Sequence, residues 1–330
     1  MIKSIYFLNN NIISNNNATK IAEAVTKNPD FIWIDINLEN HELSFDEMQL
    51  LCKSFKFHEM SIEDCLFPQY YPKIEEFINY IFIAIHGVEL KPTYFNNLED
   101  SIYEINFFVG QNFIITVHTE ELFFLEKLFE NTKIKPLMTA KSIETMLYNI
   151  FSKVLSSYEL VLDKIDDKLE LLEEKILKNP ESANIEQILN NKKVLFLMKK
   201  TVEAQQSVYV YFTRHNTNLI SGDYLVYFRD IYIQYSRVYQ SILMRSQMVV
   251  SLLEVYMSSV TLRLSEIMKL LTIIATIVMP VLIVSGYYGM NLVFPEYKVL
   301  GRENAWFFAM SLMLITIISM LIYFKRKKWF

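Results

Sequence analysis

The sequence predicts a membrane protein of the α+β class: an N-terminal α/β sandwich, a long helical stalk and two C-terminal transmembrane helices. Three observations predict it. Strand and helix signals alternate only before about residue 140. Beyond that point helix formers take over, with neither Pro nor Gly between Asp223 and Met279. Two late runs, Leu270–Pro295 and Ala305–Phe324, contain no Asp, Glu, Lys or Arg.

Composition agrees with a chain of mixed character. Of 330 residues 52% are hydrophobic, yet 21% are charged and almost all of that charge precedes Lys269, so a water-soluble part comes before a membrane part. The net charge of −5 offers no overall basic field for phosphates, and nucleic acid is not an expected partner. Cys52 and Cys65 have no CxxC spacing and read as reduced thiols. Met1–Ile5 runs into Asn9, Asn10 and Asn11 without an apolar signal core, so no secretion signal is expected.

Within residues 1–140, Phe31–Ile36, Tyr80–Val88, Ile102–Val109 and Phe113–His118 are rich in β-branched and aromatic residues and read as strands. Gly110-Gln111-Asn112 between the last two marks a hairpin turn. Ser44 with Glu47 has the capping-box pattern ahead of a helix ending near Phe57, and Glu120–Asn131 reads as a second helix. Met1–Asn40 carries the weakest signals.

Residues 141–220 read as an antiparallel helix pair. Tyr158, Val161, Ile165, Leu169, Leu172 and Ile176 share one face of the first helix, which Asn179-Pro180 ends; the second runs from about Ile185 to Leu219. The acidic residues from Asp163 to Glu174 alternate with Lys164, Lys168 and Lys175, the pattern of a solvated face with i,i+4 pairs. His41, His58, His86, His118 and His215 lack zinc-ligand spacing and read as structural.

A third helix, 221–288, starts with Asp223 or Ser221 as N-cap. Ile231, Tyr235, Val238, Ile242, Val249, Leu252 and Tyr256 keep a 3-4 spacing along it. At 1.5 Å per residue, roughly 65 residues make a rod about 100 Å long. That seam points to packing against copies of the same helix, with part of its length covered by the two preceding helices.

Each charge-free run exceeds the roughly 20 residues that cross ~30 Å of hydrocarbon, and backbone satisfaction in lipid requires helices. The alternative, a pair of soluble core helices, fits poorly with such uncharged lengths. The first span is placed at about 268–288 and the second at 305–324, joined by a loop, 289–304. Lys325-Arg326-Lys327-Lys328 in the tail, 325–330, puts both termini in the cytoplasm and the loop outside. No charged residue lies within either charge-free run, so no proton relay is written there. The face through Met268, Leu271, Met279 and Leu282 suits a dry constriction, although taken alone such a stripe is more often ordinary lipid or core packing. Pro280 removes one helix hydrogen bond, Gly286 and Gly289 permit close approach, and Asn291 offers a neutral amide oxygen to a cation that keeps its water, as Mg²⁺ does.

Tyr288-Gly289-Met290-Asn291 between the two spans, preceded by Met268–Pro280 and followed by the basic tail, resembles the CorA family of divalent-cation channels. The likeness extends to Tyr227-Phe228-Arg229-Asp230 and to Ile62-Glu63-Asp64 followed by Pro72-Lys73-Ile74-Glu75. The resemblance implies a homopentameric funnel in the cytoplasmic (inner) membrane, with a pore built from five first spans. It implies a filter of Gly289, Met290 and Asn291 for hydrated Mg²⁺, with Co²⁺ and Ni²⁺ passing as well. Ser265, Met268, Leu271, Met279, Leu282 and Gly286 would line the pore, Met268, Leu271 and Met279 acting as its gate. Asp64 of one subunit would face Asp230 of the next, with Glu63 nearby, as an intracellular Mg²⁺ site, and Glu254 would add an acidic ring. Two positions depart from related pores, which often have Asn at the place of Ser265 and Thr at that of Leu282. A zinc-transporting relative is the nearest rival, and a membrane-anchored coiled-coil scaffold or sensor is the rival of another class. No phosphate-binding Gly-rich loop or nucleophile elbow points to an enzyme.

Overall fold

The computed structural model describes residues 2–8, 11–38, 42–67, 71–89, 102–134, 142–178, 185–214, 224–290 and 301–329. The chain divides into two compact units, Met1–Glu174 with Asn184–Leu253, and Lys175–Ala183 with Glu254–Phe330.

The first unit is built on a seven-stranded sheet. Its strands are β1 (Ile2–Leu8), β2 (Asn11–Asn15), β3 (Phe31–Asn37), β4 (Lys73–Glu76), β5 (Ile81–Val88), β6 (Ile102–Val109) and β7 (Phe113–His118), in the order β2-β1-β3-β7-β6-β5-β4. Only β3 and β7 run parallel; the other pairs are antiparallel. The four strands expected from β-branched and aromatic runs are all present. Three others carry weaker signals. β1 and β2 adjoin an Asn-rich stretch, and β4 is a four-residue edge strand, Lys-Ile-Glu-Glu, whose charges suit an edge rather than a core.

Side chains alternate between the two faces of the sheet. One face meets α1 (Ala18–Thr26), α2 (Phe45–Gln49) with the π-helical turn Leu50–Ser54 after it, and α3 (Glu59–Leu66). Ile21, Leu51, Phe57 and Ile62 pack there with Ile34, Phe82, Phe108 and Val117. The expected capping box is formed: Ser44 accepts from the Glu47 amide and the Glu47 carboxylate from the Ser44 amide. The opposite face meets α4 (Phe123–Ile134), α5 (Ile143–Lys178), α6 (Ile185–Ala204) and α7 (Gln206–Arg214). Trp33 packs on Phe129 at 5.2 Å between rings, and Phe107 meets Phe151 edge-on at 5.7 Å. The predicted α/β sandwich is thus realised with helices on both faces.

The helix expected from Ile185 to Leu219 is interrupted. Gln205 separates α6 from α7 because its buried amide serves the core: Nε2 donates to the His86 carbonyl at 3.0 Å and to the Tyr158 hydroxyl at 3.1 Å, and Oε1 accepts from Tyr209 at 3.3 Å. Residues 215–219, and both proposed caps Ser221 and Asp223, lie outside the described residues.

α8 (Leu225–Tyr288) is one 64-residue helix that continues through Pro280. The 3-4 seam is buried inside the single chain at Ile231, Tyr235, Val238, Ile242, Val249 and Leu252. Tyr209 and Phe212 of α7 pack on Tyr235 and Phe228, and Arg245 grips both oxygens of Asp166 on α5. The expectation that copies of the chain cover this seam is corrected over that length: its own helices cover it, because the α5–α7 arrangement offers a complementary apolar face.

In the second unit the apolar end of α8 is joined by α9 (Arg302–Arg326). Both helices hold a span-length apolar window, of which 6% and 11% respectively is buried. A soluble core helix would be mostly buried, so these are lipid-type helices.

Candidate ion pathway and acidic sites

At the C-terminal end of α8 the last turn closes through Gly289 N–H donating to the Ser285 carbonyl at 2.8 Å and Met290 N–H to the Tyr287 carbonyl at 3.3 Å. A Cβ on Gly289 would come within 2.9 Å of that Ser285 carbonyl, so the closure requires glycine. A Cβ on Gly286 meets nothing within 4 Å in this chain. Asn291 lies outside the described residues, as do residues 292–300 of the loop.

Along the span, Met268, Leu271, Met279 and Leu282 are exposed by 59%, 59%, 64% and 63%, while Ile273 on the other side is buried. The stripe therefore lies on a face this chain leaves uncovered. Ser265 and Gly286 are exposed as well. The hydroxyls of Thr272 and Thr276 return to carbonyls one turn back, at 2.7 and 2.6 Å, so they are satisfied within the helix.

The acidic candidates sit in contrasting surroundings. Asp230, exposed on α8, holds two neutral donors on Oδ2: the Tyr148 hydroxyl at 2.9 Å and Gln234 Nε2 at 2.8 Å. The carboxylate in turn raises the pKa of Tyr148, after burial of that ring. Asp64 on α3 is more enclosed and paired with Lys73 Nζ, which also reaches Glu75 at 3.4 Å. Glu63 and Glu254 are exposed. Sequence reasoning missed Lys73, Tyr148 and Gln234 as partners. A Lys nine residues from an Asp, and a Tyr 82 residues from one, give no local signal.

Among the described residues no group of three or more His, Cys, Asp or Glu side chains converges to hold a metal. The hard carboxylate oxygens of Asp64 and Asp230 nevertheless fit Mg²⁺, which takes one or two carboxylates and keeps several waters. Among the described histidines, His58 caps α3, His86 pairs with Glu104 and His118 with Asp35, all structural roles; His41 and His215 lie outside the described residues. Cys52 and Cys65 are free, and burial pushes the Cys65 thiol well up.

The family described as CorA-like Mg²⁺ transporter protein matches residues 28–326. The chain is 30% identical over 286 residues to the cobalt/magnesium transport protein CorA of Thermotoga maritima, covering 86% of this chain and 80% of that one. It is 23% identical over 300 residues to the protein of the same name from Methanocaldococcus jannaschii, covering 90% and 91%. The complete structure of the CorA magnesium transporter from that organism superposes with a TM-score of 0.80 at 21% identity over 100% of this chain and 99% of that one, a likeness of fold. With two lipid-type helices following a soluble α/β/α unit, and a match that runs from the turn between α1 and β3 to the end of α9, the chain belongs to the CorA-like Mg²⁺ transporter family.

Proposed function

We propose that this chain is the subunit of a passive, homopentameric Mg²⁺ channel of the cytoplasmic membrane, closed by intracellular Mg²⁺ and passing Co²⁺ and Ni²⁺ as well. The observation that carries the reading is the uncovered stripe Met268, Leu271, Met279 and Leu282 on the apolar end of α8, whose charge-free run from Leu270 leads into Gly289-Met290. Five such stripes around an axis form a dry neck that conducts only when it widens. Outside the neck, Gly289, Met290 and Asn291 form the filter, where carbonyl and amide oxygens accept from the water shell of Mg²⁺ without stripping it. Ser265 and Gly286 complete the lining at the two ends. In this reading the first span is 268–288, the external loop 289–304 and the second span 305–324, with the soluble parts 1–140 and 141–220 and the tail 325–330 in the cytoplasm.

No chemical energy is required. Two charges moving inward gain about 4.6 kcal/mol per 100 mV of membrane potential. Asp64 and Asp230 from adjacent subunits, with Glu63 nearby, bind the regulatory Mg²⁺. Two bare carboxylates ~4 Å apart repel by about 4 kcal/mol at an effective dielectric of 20, and an ion between them turns that repulsion into attraction. Glu254 adds an acidic ring further along the stalk.

The test is uptake into proteoliposomes under an imposed inside-negative potential, with Mg²⁺, Co²⁺, Ni²⁺ and Zn²⁺ in competition. The expected result is potential-driven Mg²⁺ flux. Absence of flux from a correctly assembled protein leaves only a scaffold, and a preference for Zn²⁺ replaces Mg²⁺ as the cargo.

A further inference from the structure

Asp64 and Asp230 are matched in the proposed intracellular site, yet this chain treats them differently. Among the described residues Asp230 has only neutral donors, Tyr148 and Gln234, both on Oδ2. Asp64 already holds a cation. The Lys73 ammonium bonds its Oδ2, with the Asp64 side chain 15% exposed and that of Lys73 28%. The same ammonium lies 3.4 Å from Glu75 and sits over the Phe82 ring at 5.3 Å.

We propose that Lys73 is a tethered cation that competes with Mg²⁺ for the Asp64 carboxylate and so sets the Mg²⁺ concentration at which the intracellular site fills. The proposal rests on the reading of Asp64 and Asp230 as that site. Lys73 comes from β4, the short edge strand, and Asp64 from α3, which covers the adjoining face. An ion arriving at Asp64 must therefore displace a charge-assisted hydrogen bond as well as bind. Displacement does not orphan the ammonium, because Glu75 is on the same strand and within its reach. A lysine ammonium is charged at cellular pH, so the competitor is a cation. A built-in competitor keeps the site weak, as a sensor of a cation abundant in the cytoplasm must be.

The experiment titrates Mg²⁺ against protease resistance of the full-length protein in detergent, for wild type, Lys73→Met, Lys73→Arg and Asp64→Ala, with thermal melts recorded without Mg²⁺. Lys73→Met is expected to lower the protecting Mg²⁺ midpoint about tenfold, the factor that corresponds to losing one charge-assisted hydrogen bond. Lys73→Arg, whose planar fork grips a carboxylate more firmly, is expected to raise the midpoint severalfold, and it carries the test should Lys73→Met fail to fold. If Lys73→Met or Lys73→Arg shifts only the melting temperature, while Asp64→Ala abolishes protection, Lys73 is merely a tie between α3 and β4 and the proposal is overturned. If Asp64→Ala leaves the midpoint unchanged, the underlying site assignment fails instead.

Discussion

The His118 cluster yields the sharpest stability prediction. Its ring lies between two acceptors, the Glu120 carbonyl 2.6 Å from Nδ1 and Asp35 Oδ1 3.2 Å from Nε2. Neutral imidazole has one N–H and leaves one contact unmade, whereas imidazolium makes both. Burial opposes the charge, but the Asp35 carboxylate and the two hydrogen bonds outweigh it and raise the His118 pKa, with Lys3 pulling weakly the other way. Asp35 also accepts from Thr116, whose oxygen accepts from Trp33 Nε1 at 3.2 Å. With side chains only 4% and 10% exposed, His118 and Asp35 are a buried pair. Removing one partner of such a pair costs about 3–5 kcal/mol. At about 2–4 °C per kcal/mol for a unit of this size, Asp35→Ala should lower the melting temperature by about 6–20 °C at pH 6. The folded pKa lies above the unfolded value of about 6.5. The contribution is therefore fully present below that pH and is lost as pH rises through the folded pKa. Melts of wild type and Asp35→Ala, followed by near-UV circular dichroism from pH 5.5 to 9, should converge as pH rises. A penalty independent of pH would refute an imidazolium at His118, and a penalty below about 1 kcal/mol would refute the buried pair.

Four further outcomes are expected. Asn291→Ala should abolish Mg²⁺ uptake while the purified protein elutes at the same size as wild type; wild-type flux sinks the filter assignment. Met279→Ser should wet the neck and raise basal cation leak in proteoliposomes, and an unchanged leak in low Mg²⁺ would place Met279 against lipid or a neighbouring helix. Asp230→Lys should put an ammonium at the proposed regulatory site, so that protease resistance no longer depends on Mg²⁺; retained dependence moves the sensor elsewhere. Phe151→Ala should cost about 3–5 kcal/mol in denaturant unfolding, because its ring is buried against Phe107, Tyr209 and Phe212, and a cost near zero would mean that this core repacks.

Much of the framework was legible because it is written in short-range patterns. β3, β5, β6 and β7 appear as apolar runs, and the Ser44–Glu47 box as a three-residue spacing. The edge strand β4 was not, since its charges are what keep an edge from pairing with another sheet. The break at Gln205 was hidden for a related reason. Glutamine is a good helix former, and only its distant partners His86 and Tyr158 make a break favourable there. Of the candidate sites, the charge-free run, its Met and Leu periodicity and the Gly-Met that follows could be read directly, whereas the exposure of that face could not. The cation already held by Asp64 could not.

The sequence by itself determined that two helices are of lipid type and that one of them continues a long stalk, because charge-free length and helical period are properties of the chain taken along itself. Only the tertiary structure decided which groups meet across the sheet and between helices. His118 and Asp35 are 83 residues apart and face each other through the parallel β3–β7 pairing, and Asp166 reaches Arg245 only because α5 and α8 lie side by side. The stalk seam shows the same division. Its period announced an apolar partner, and since any complementary apolar surface satisfies that demand, the chain's own helices could fill the place expected of another copy.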